Sequence, residues 1–347
     1  MTIKKDVIPD FRNGVIRNPH LVILGAGASC AAFLEGDRNG RKLPVMRTLA
    51  RDLGLTDMLS PKYAHLIDDF ELLYSTLYHT SGDTILREKV DDAVHQYFLD
   101  LKIGDEPNLY DYLILSLREK DVIATFNWDP LLLQSYLRHK RFGQHVPQLL
   151  FLHGNVAVGI CKNCKISGNY YNRICHRCNK PFSKMPLLYP VGQKNYSANA
   201  SIRKEWTALK QTFRIAYYIT IFGYSAPVTD IDARQVMLEA LKSNRSRVFS
   251  ELDIIDISPE EIVEEKWNDF LYSHHYSIMN DFKDSNLWWH PRRSCEALAS
   301  GTLMNDPISH NPFPDFKTLE EMHDWIDPLV KEEINHKINQ KGFFRKS

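Results

Sequence analysis

Leu21-Val22-Ile23-Leu24-Gly25-Ala26-Gly27-Ala28-Ser29 decides how the rest of the chain is read. Four apolar residues run into a glycine pair and then into small residues, the pattern of a buried strand, a tight turn and a helix. Backbone N–H groups at such a turn, with the helix N-terminus behind them, can approach a phosphate closely. The last glycine of the full dinucleotide fingerprint is missing. Taken alone, the stretch reads equally well as a glycine turn packed between strand and helix.

Working outward, further apolar runs end in polar or glycine-bearing residues. Asp121–Thr125 leads to Phe126-Asn127-Trp128-Asp129-Pro130, where Pro130 suits the first position of a helix and Asp129 its N-cap. Leu149–Leu152 ends in His153-Gly154-Asn155. Ala216–Phe222 ends in Gly223-Tyr224-Ser225-Ala226-Pro227, with Thr229 or Asp230 able to cap the next helix through about Leu241. Leu252–Ile257 carries Asp256 near its end. Ligands of open α/β sheets sit at the carboxyl ends of the strands, so these polar groups are candidates for one site. Between the first two runs, Leu43-Pro44 leads into an expected helix with Met46 and Arg47. Tyr63, Leu66, Ile67, Phe70, Leu73, Tyr74 and Leu77 then follow helical spacing, as do Val90, Ala93, Val94, Tyr97, Phe98 and Leu101. The alternation predicts an α/β fold, a doubly wound Rossmann-like parallel sheet with a helical lobe inserted at about residues 51–118.

The composition is that of a globular protein of 347 residues, 44% hydrophobic and 25% charged. Lys+Arg and Asp+Glu both number 43, giving zero net charge, which argues against bulk-charge affinity for nucleic acid. No apolar run approaches the roughly 18–20 residues that cross a bilayer, and the start Met1-Thr2-Ile3-Lys4-Lys5-Asp6 lacks a signal-peptide core. A cytoplasmic protein is expected. Pro307, Pro312 and Pro314 mark a linker into a C-terminal helical tail at 301–347, read as two short helices meeting at Asp327-Pro328.

Four of the six cysteines, Cys161, Cys164, Cys175 and Cys178, fall within eighteen positions as two Cys-x-x-Cys pairs. Each pair can form a knuckle presenting two thiolates, and two knuckles close a tetrahedral zinc site. The ribbon expected at about 158–186, shaped by Tyr170-Tyr171 and Asn172, has too little core to fold without metal. A closed four-thiolate site has no position for substrate, so one structural zinc is expected.

In this order, Gly25-Ala26-Gly27-Ala28-Ser29, Thr125-Phe126-Asn127-Trp128-Asp129, His153-Gly154, the cysteine pairs, Gly223-Tyr224-Ser225 and Ile255-Asp256-Ile257 resemble the sirtuin superfamily of NAD-consuming enzymes. The resemblance covers about residues 20–260 and implies an NAD-binding domain at 1–300. It also implies roles. His153 resembles the catalytic histidine, and neutral imidazole can accept a proton near pH 7. Asn127 would fix a ribose hydroxyl or a water, and Asp129 would hydrogen-bond the nicotinamide amide. Gly25, Ala26, Gly27, Ser29, Arg47, Thr125, Gly223, Ser225 and Asp256 would hold the rest of NAD, Asp256 through the adenine ribose.

The departures narrow the reading. The Gly-Ile-Pro-Asp-Phe-Arg segment of deacylating sirtuins has only Leu43-Pro44-Val45-Met46-Arg47 as its nearest match, and Phe126 stands where deacylases usually carry glutamine. The edge that pairs with an acyl-lysine peptide is replaced by Leu187-Leu188-Tyr189-Pro190-Val191-Gly192, in which Pro190 removes a ladder donor. These traits resemble divergent bacterial sirtuin-like proteins, many of which hydrolyse NAD in anti-phage defence. The expected activity is NAD glycohydrolysis to nicotinamide and ADP-ribose. A protein-lysine deacylase and a non-catalytic NAD or ADP-ribose sensor are the alternatives. The tail and the lobe are expected contacts for a second copy or a regulatory partner.

Overall fold

The computed structural model describes residues 9–12, 15–59, 61–80, 82–190, 196, 199–226 and 230–335. Pro227, Thr229, Val191-Gly192 and the tail beyond 335, all singled out in the sequence, lie outside the described residues. A short antiparallel hairpin, β1 (Phe11–Arg12) and β2 (Val15–Ile16), precedes β3 (His20–Leu24), which runs into α1 (Ala26–Ala32). The lobe follows as α2 (Leu49–Asp52), α3 (Phe70–His79), α4 (Thr84–Leu99) and α5 (Leu109–Leu115). Then come β4 (Val122–Thr125), α6 (Leu131–Arg138) and β5 (Gln148–Phe151). A small antiparallel sheet interrupts the fold here: β6 (Val158–Cys161), flanked by β7 (Ile166–Asn169) and β8 (Ser183–Lys184). The main fold resumes with α7 (Ala200–Phe213), β9 (Tyr218–Phe222), α8 (Ile231–Lys242), β10 (Glu251–Ile255), α9 (Glu260–Trp267) and β11 (Tyr276–Met279). The chain closes with α10 (Asn286–Trp289), α11 (Ser294–Thr302) and α12 (Leu319–Asn335).

The main sheet is parallel throughout, in the order β11-β10-β9-β3-β4-β5. Counted along the chain this is the 3-2-1-4-5-6 arrangement of dinucleotide-binding folds, with its switch point between β3 and β9. Period-two alternation divides the strands between two cores. Val22, Leu24, Ile123, Phe222 and Ile255 face the lobe and α12. Leu21, Ile23, Val122, Ala124, Ile219, Ile221, Leu252 and Ile254 face α7, α8 and α9. The fold is therefore doubly wound, as expected, with the lobe inserted between β3 and β4.

Three local readings are corrected. The residues around Asp327-Pro328 form one helix, α12, with Pro328 inside it. An interior proline costs about 3 kcal/mol, and burial of Met322, Ile326 and Val330 in the lobe-side core offsets it. The helix expected at Met46 and Arg47 begins later, at Leu49, leaving Arg47 in an exposed turn. Tyr170-Tyr171 lies not in a ribbon strand but in a 3-10 turn, from which the Tyr171 hydroxyl donates to Leu99 O at 3.2 Å and accepts from Gln134 at 3.0 Å. These bonds tie the cysteine module to α4 and α6. Among the described residues, no helix is long and apolar enough to cross a membrane.

Candidate functional site

At the switch point the backbone comes together very closely. Gly25 N–H donates to Phe222 O at 3.0 Å, and Gly27 N–H to Gly223 O at 2.9 Å. A Cβ on Gly25 would lie 2.5 Å from Gly223 O, and one on Gly223 would lie 2.2 Å from Ala28 N. Gly223 also has φ +60°, which favours glycine. The glycine turn thus serves packing first. The exposed Ala26 and Gly27 stand at the start of α1, and Ser225, two residues past Gly223, is exposed as well.

Behind this turn lies a buried polar network with a defined proton inventory. The Asn127 amide donates one hydrogen to Gly25 O (2.8 Å) and the other to Ser29 Oγ (2.9 Å). Ser29 Oγ donates its only hydrogen to Asp129 Oδ2 at 2.8 Å, so the Tyr110 hydroxyl, 2.5 Å away, must donate to Ser29. Asp129 Oδ1 accepts the Leu131 N–H at 3.0 Å. Asp129 therefore caps α6, but from one position further out than expected, with Pro130 at the N-cap. Burial pushes the Asp129 carboxyl up, while the bonds from Ser29 and Leu131 pull it back. Both Asn127 N–H bonds are committed, so the side chain offers a ligand only its amide oxygen, an acceptor. Thr125, buried below, accepts the Asn127 backbone N–H on its Oγ1 at 3.0 Å.

His153 stands at the end of β5, its side chain 7% exposed. Phe126 meets the ring edge-to-face at 4.8 Å, and Phe126 itself stacks on Tyr224 at 4.0 Å. His153 Nε2 lies 3.6 Å from Asp230 Oδ1. Asp230 occupies the N-cap of α8, yet its side chain makes no capping bond, accepting instead from the Tyr224 hydroxyl at 3.1 Å. Asp256, just past β10, accepts the Ser258 N–H at 2.8 Å and is half-buried. Arg47, among the described residues, makes no hydrogen bond or ion pair to any of these groups. The site thus joins Gly25, Ser29, Thr125, Asn127, Asp129 and Gly223 through direct contacts. His153 stands at the end of the edge strand β5, and Asp256 just past β10, on the other side of the switch point. Tyr110, Tyr224 and Asp230 are members that sequence reading missed. Tyr224 lies inside the Gly223-Tyr224-Ser225 motif and Asp230 at a helix start, whereas no local pattern singles out Tyr110.

The cysteine module is a separate centre. The four thiol sulfurs lie within 4.8 Å of one another, with Cys161 and Cys178 3.5 Å apart. A tetrahedral zinc at about 2.3 Å from each sulfur needs thiolates roughly 3.8 Å apart, so the donor set fits a structural zinc. Among the described residues, Cys161, Cys175 and Phe182 form the module's buried cluster, with Cys164, Cys178, Ile166 and Tyr170 partly buried against it.

The chain is similar to solved Sir2 enzymes. A Sir2 homolog–NAD complex is 14% identical, with 81% of this chain and 88% of that chain covered and a TM-score of 0.41. A structure addressing sirtuin substrate affinity is 16% identical over 75% and 87%, with a TM-score of 0.39. One addressing the mechanism and regulation of Sir2 enzymes is 14% identical over 72% and 84%, with a TM-score of 0.37. No family model matches the chain, and no curated protein matches it.

Proposed function

We propose that the chain is an NAD+ glycohydrolase: water attacks the anomeric carbon of the nicotinamide ribose, giving nicotinamide, ADP-ribose and a proton. Such a site needs a held ribose, a base near the attacking oxygen or ribose hydroxyls, and acceptor oxygens that favour an oxocarbenium-like state. Asn127 carries the reading, since its committed amide hydrogens leave one acceptor oxygen for a ribose hydroxyl or the attacking water. His153 is the base, and Asp129 and Ser29 bound the nicotinamide end. The start of α1, Ser225 and Arg47 take the phosphates, and Asp256 the adenine ribose.

The contacts of the acceptor edge favour water over an acyl-lysine peptide. Leu188 N–H is spent on His153 O at 2.9 Å, and Pro190 has no N–H to give. Tyr189 stacks on Tyr74 at 4.2 Å and lies 5.0 Å from Trp128, so this segment is turned inward on the lobe. A constitutive NAD hydrolase would poison its cell, so a role in anti-phage defence implies gating by assembly or a partner at the lobe or tail.

Mass spectrometry of NAD incubated with the metal-replete chain, with and without an acyl-lysine peptide, tests the proposal. Nicotinamide and ADP-ribose without peptide are expected. O-acyl-ADP-ribose formed only with peptide would replace the hydrolase by a deacylase. Tight binding without turnover, under activating conditions, would make the chain a sensor.

A further inference from the structure

A histidine base such as His153 works only if its ring is held and its basicity set. Its ring is clamped by Phe126 at 4.8 Å and faced by Tyr196 at 6.2 Å. Asp230, whose side chain is 5% exposed, lies 3.6 Å from Nε2 in this dry wall. A carboxylate this close, with little water between, favours the protonated imidazole. The Tyr224 hydroxyl donates to the other carboxylate oxygen, and Tyr224 is itself fixed by stacking on Phe126. Carboxylate, phenol and two rings thus form one rigid assembly around the imidazole.

We propose that Asp230 is the positioning residue of His153, with Tyr224 holding the carboxylate in place. Its kinetic consequence rests on the NAD-cleaving reading, while its electrostatic consequence does not. When His153 accepts a proton from a ribose hydroxyl or the attacking water, Asp230 stabilises the resulting positive charge. No proton passes to Asp230. The other ionisable groups nearby have defined places. Tyr196 and Tyr224 are held well above the usual phenol range, chiefly by burial and then by Asp230, and stay neutral. From α8, Asp232 acts on Tyr196 and Arg234 on Tyr224. From α7, Glu205 accepts the Phe151 N–H at 3.1 Å, and burial pushes its carboxyl up to about 7. Glu205 would add a titration near neutrality to any bulk measurement, so the test must resolve single residues.

The experiment is an NMR titration of histidine ring signals in the full-length, metal-replete chain, with His153 assigned through His153→Gln. Asp230→Asn is expected to lower the His153 pKa by about one unit or more. Tyr224→Phe, which removes a hydrogen bond that damps the carboxylate, is expected to raise it slightly, and Asp230→Glu to keep it near wild type. Opposite signs for the first two variants would not arise from a merely structural role. If Asp230→Asn fails to fold, Tyr224→Phe and Asp230→Glu carry the test by themselves. An unmoved His153 pKa in every folded variant would overturn the proposal, whatever the reaction. In nicotinamide release, Asp230→Asn should move the acidic limb of the pH profile down with the pKa and cut kcat about tenfold, with KM little changed. A pKa that moves in a chain that cleaves no NAD would uphold the pair and sink the hydrolase instead.

Discussion

Both ends of the parallel sheet bury polar chemistry and use it differently. At the amino ends, charges close on one another. Arg118 donates to both Glu296 oxygens, at 2.7 and 2.6 Å, and Glu296 also accepts the Ile16 N–H. Arg292 binds Glu333 and the carbonyls of Leu117 and His145. Lys120 bridges Asp121 and Asn18 O, and both His20 nitrogens are taken by Ser294 and Thr220. These bonds clasp α11 and α12 to the sheet. At the carboxyl ends the bonds also interlock, but among the described residues the network around Ser29 leaves the Asn127 amide oxygen as a spare acceptor. Buried polarity alone therefore does not mark a site. Residual hydrogen-bonding capacity at the carboxyl end is what the proposed site rests on.

The comparison breaks if its two halves respond alike. Glu296→Ala leaves Arg118 buried without its carboxylate and should cost about 3–5 kcal/mol of stability, read from urea unfolding. NAD cleavage per folded molecule should be unchanged. Asn127→Ala and His153→Ala should do the reverse, each losing about 10²-fold or more in turnover per folded molecule, with a smaller cost in stability than Glu296→Ala. If both retain near-normal turnover, the proposed site is wrong. A smaller effect is expected of Tyr110→Phe. It removes a donor from Ser29 without changing the aromatic volume, so Ser29 and Asn127 lose part of their fixed geometry. About a tenfold fall in kcat is expected. A Tyr110→Phe enzyme with normal kcat would show that Ser29 and Asn127 hold each other without it.

The strand ends were legible because a buried parallel strand is a short apolar run and its terminus breaks that run with Gly, Asn or His. The two cysteine pairs were legible because ligand spacing is local. What escaped depends on distant contacts. Tyr110 and Ser29 are 81 residues apart, and their bond follows from the way α5 packs against α1, which no local pattern encodes. Asp230 looked like a cap because caps are local, and its turn toward His153 is a tertiary choice. The edge strand β11 has three half-buried residues and the exposed Ser277, without the apolar run of its neighbours. Pro328 misled for a related reason, since a proline's local cost is visible in sequence and the core that outweighs it is not.

The smallest effect tests the clasp by pH. His139 faces Asp111 with Nε2 at 2.9 Å and His323 of α12 with Nδ1 at 2.9 Å. A hydrogen bond between two imidazoles needs a neutral acceptor on one side, so protonating both rings sets donor against donor. Burial, then His139 and Arg141, lower the His323 pKa from 6.5 to about 4. Arg141 also holds Asp324 and Asp327 on the same helix, and Asp111 is bound by Arg138. Between these two pH values the unfolded chain binds a proton at His323 that the folded chain refuses. Stability contributed by neutral His323 is therefore full above about pH 6.5, falls as the pH drops, and is gone below about 4. Of order 1 kcal/mol of α12 docking should be lost between pH 7 and 5, measured by hydrogen exchange along Leu319–Asn335. His323→Gln should flatten that dependence, and exchange in α12 that ignores pH in the wild type would remove His323 from the clasp. Asp111 adjoins Tyr110 on α5, so the same titration also asks whether the clasp reaches the site. If loosening α12 leaves Ser29 and Asn127 unperturbed, the two ends of the sheet are energetically separate.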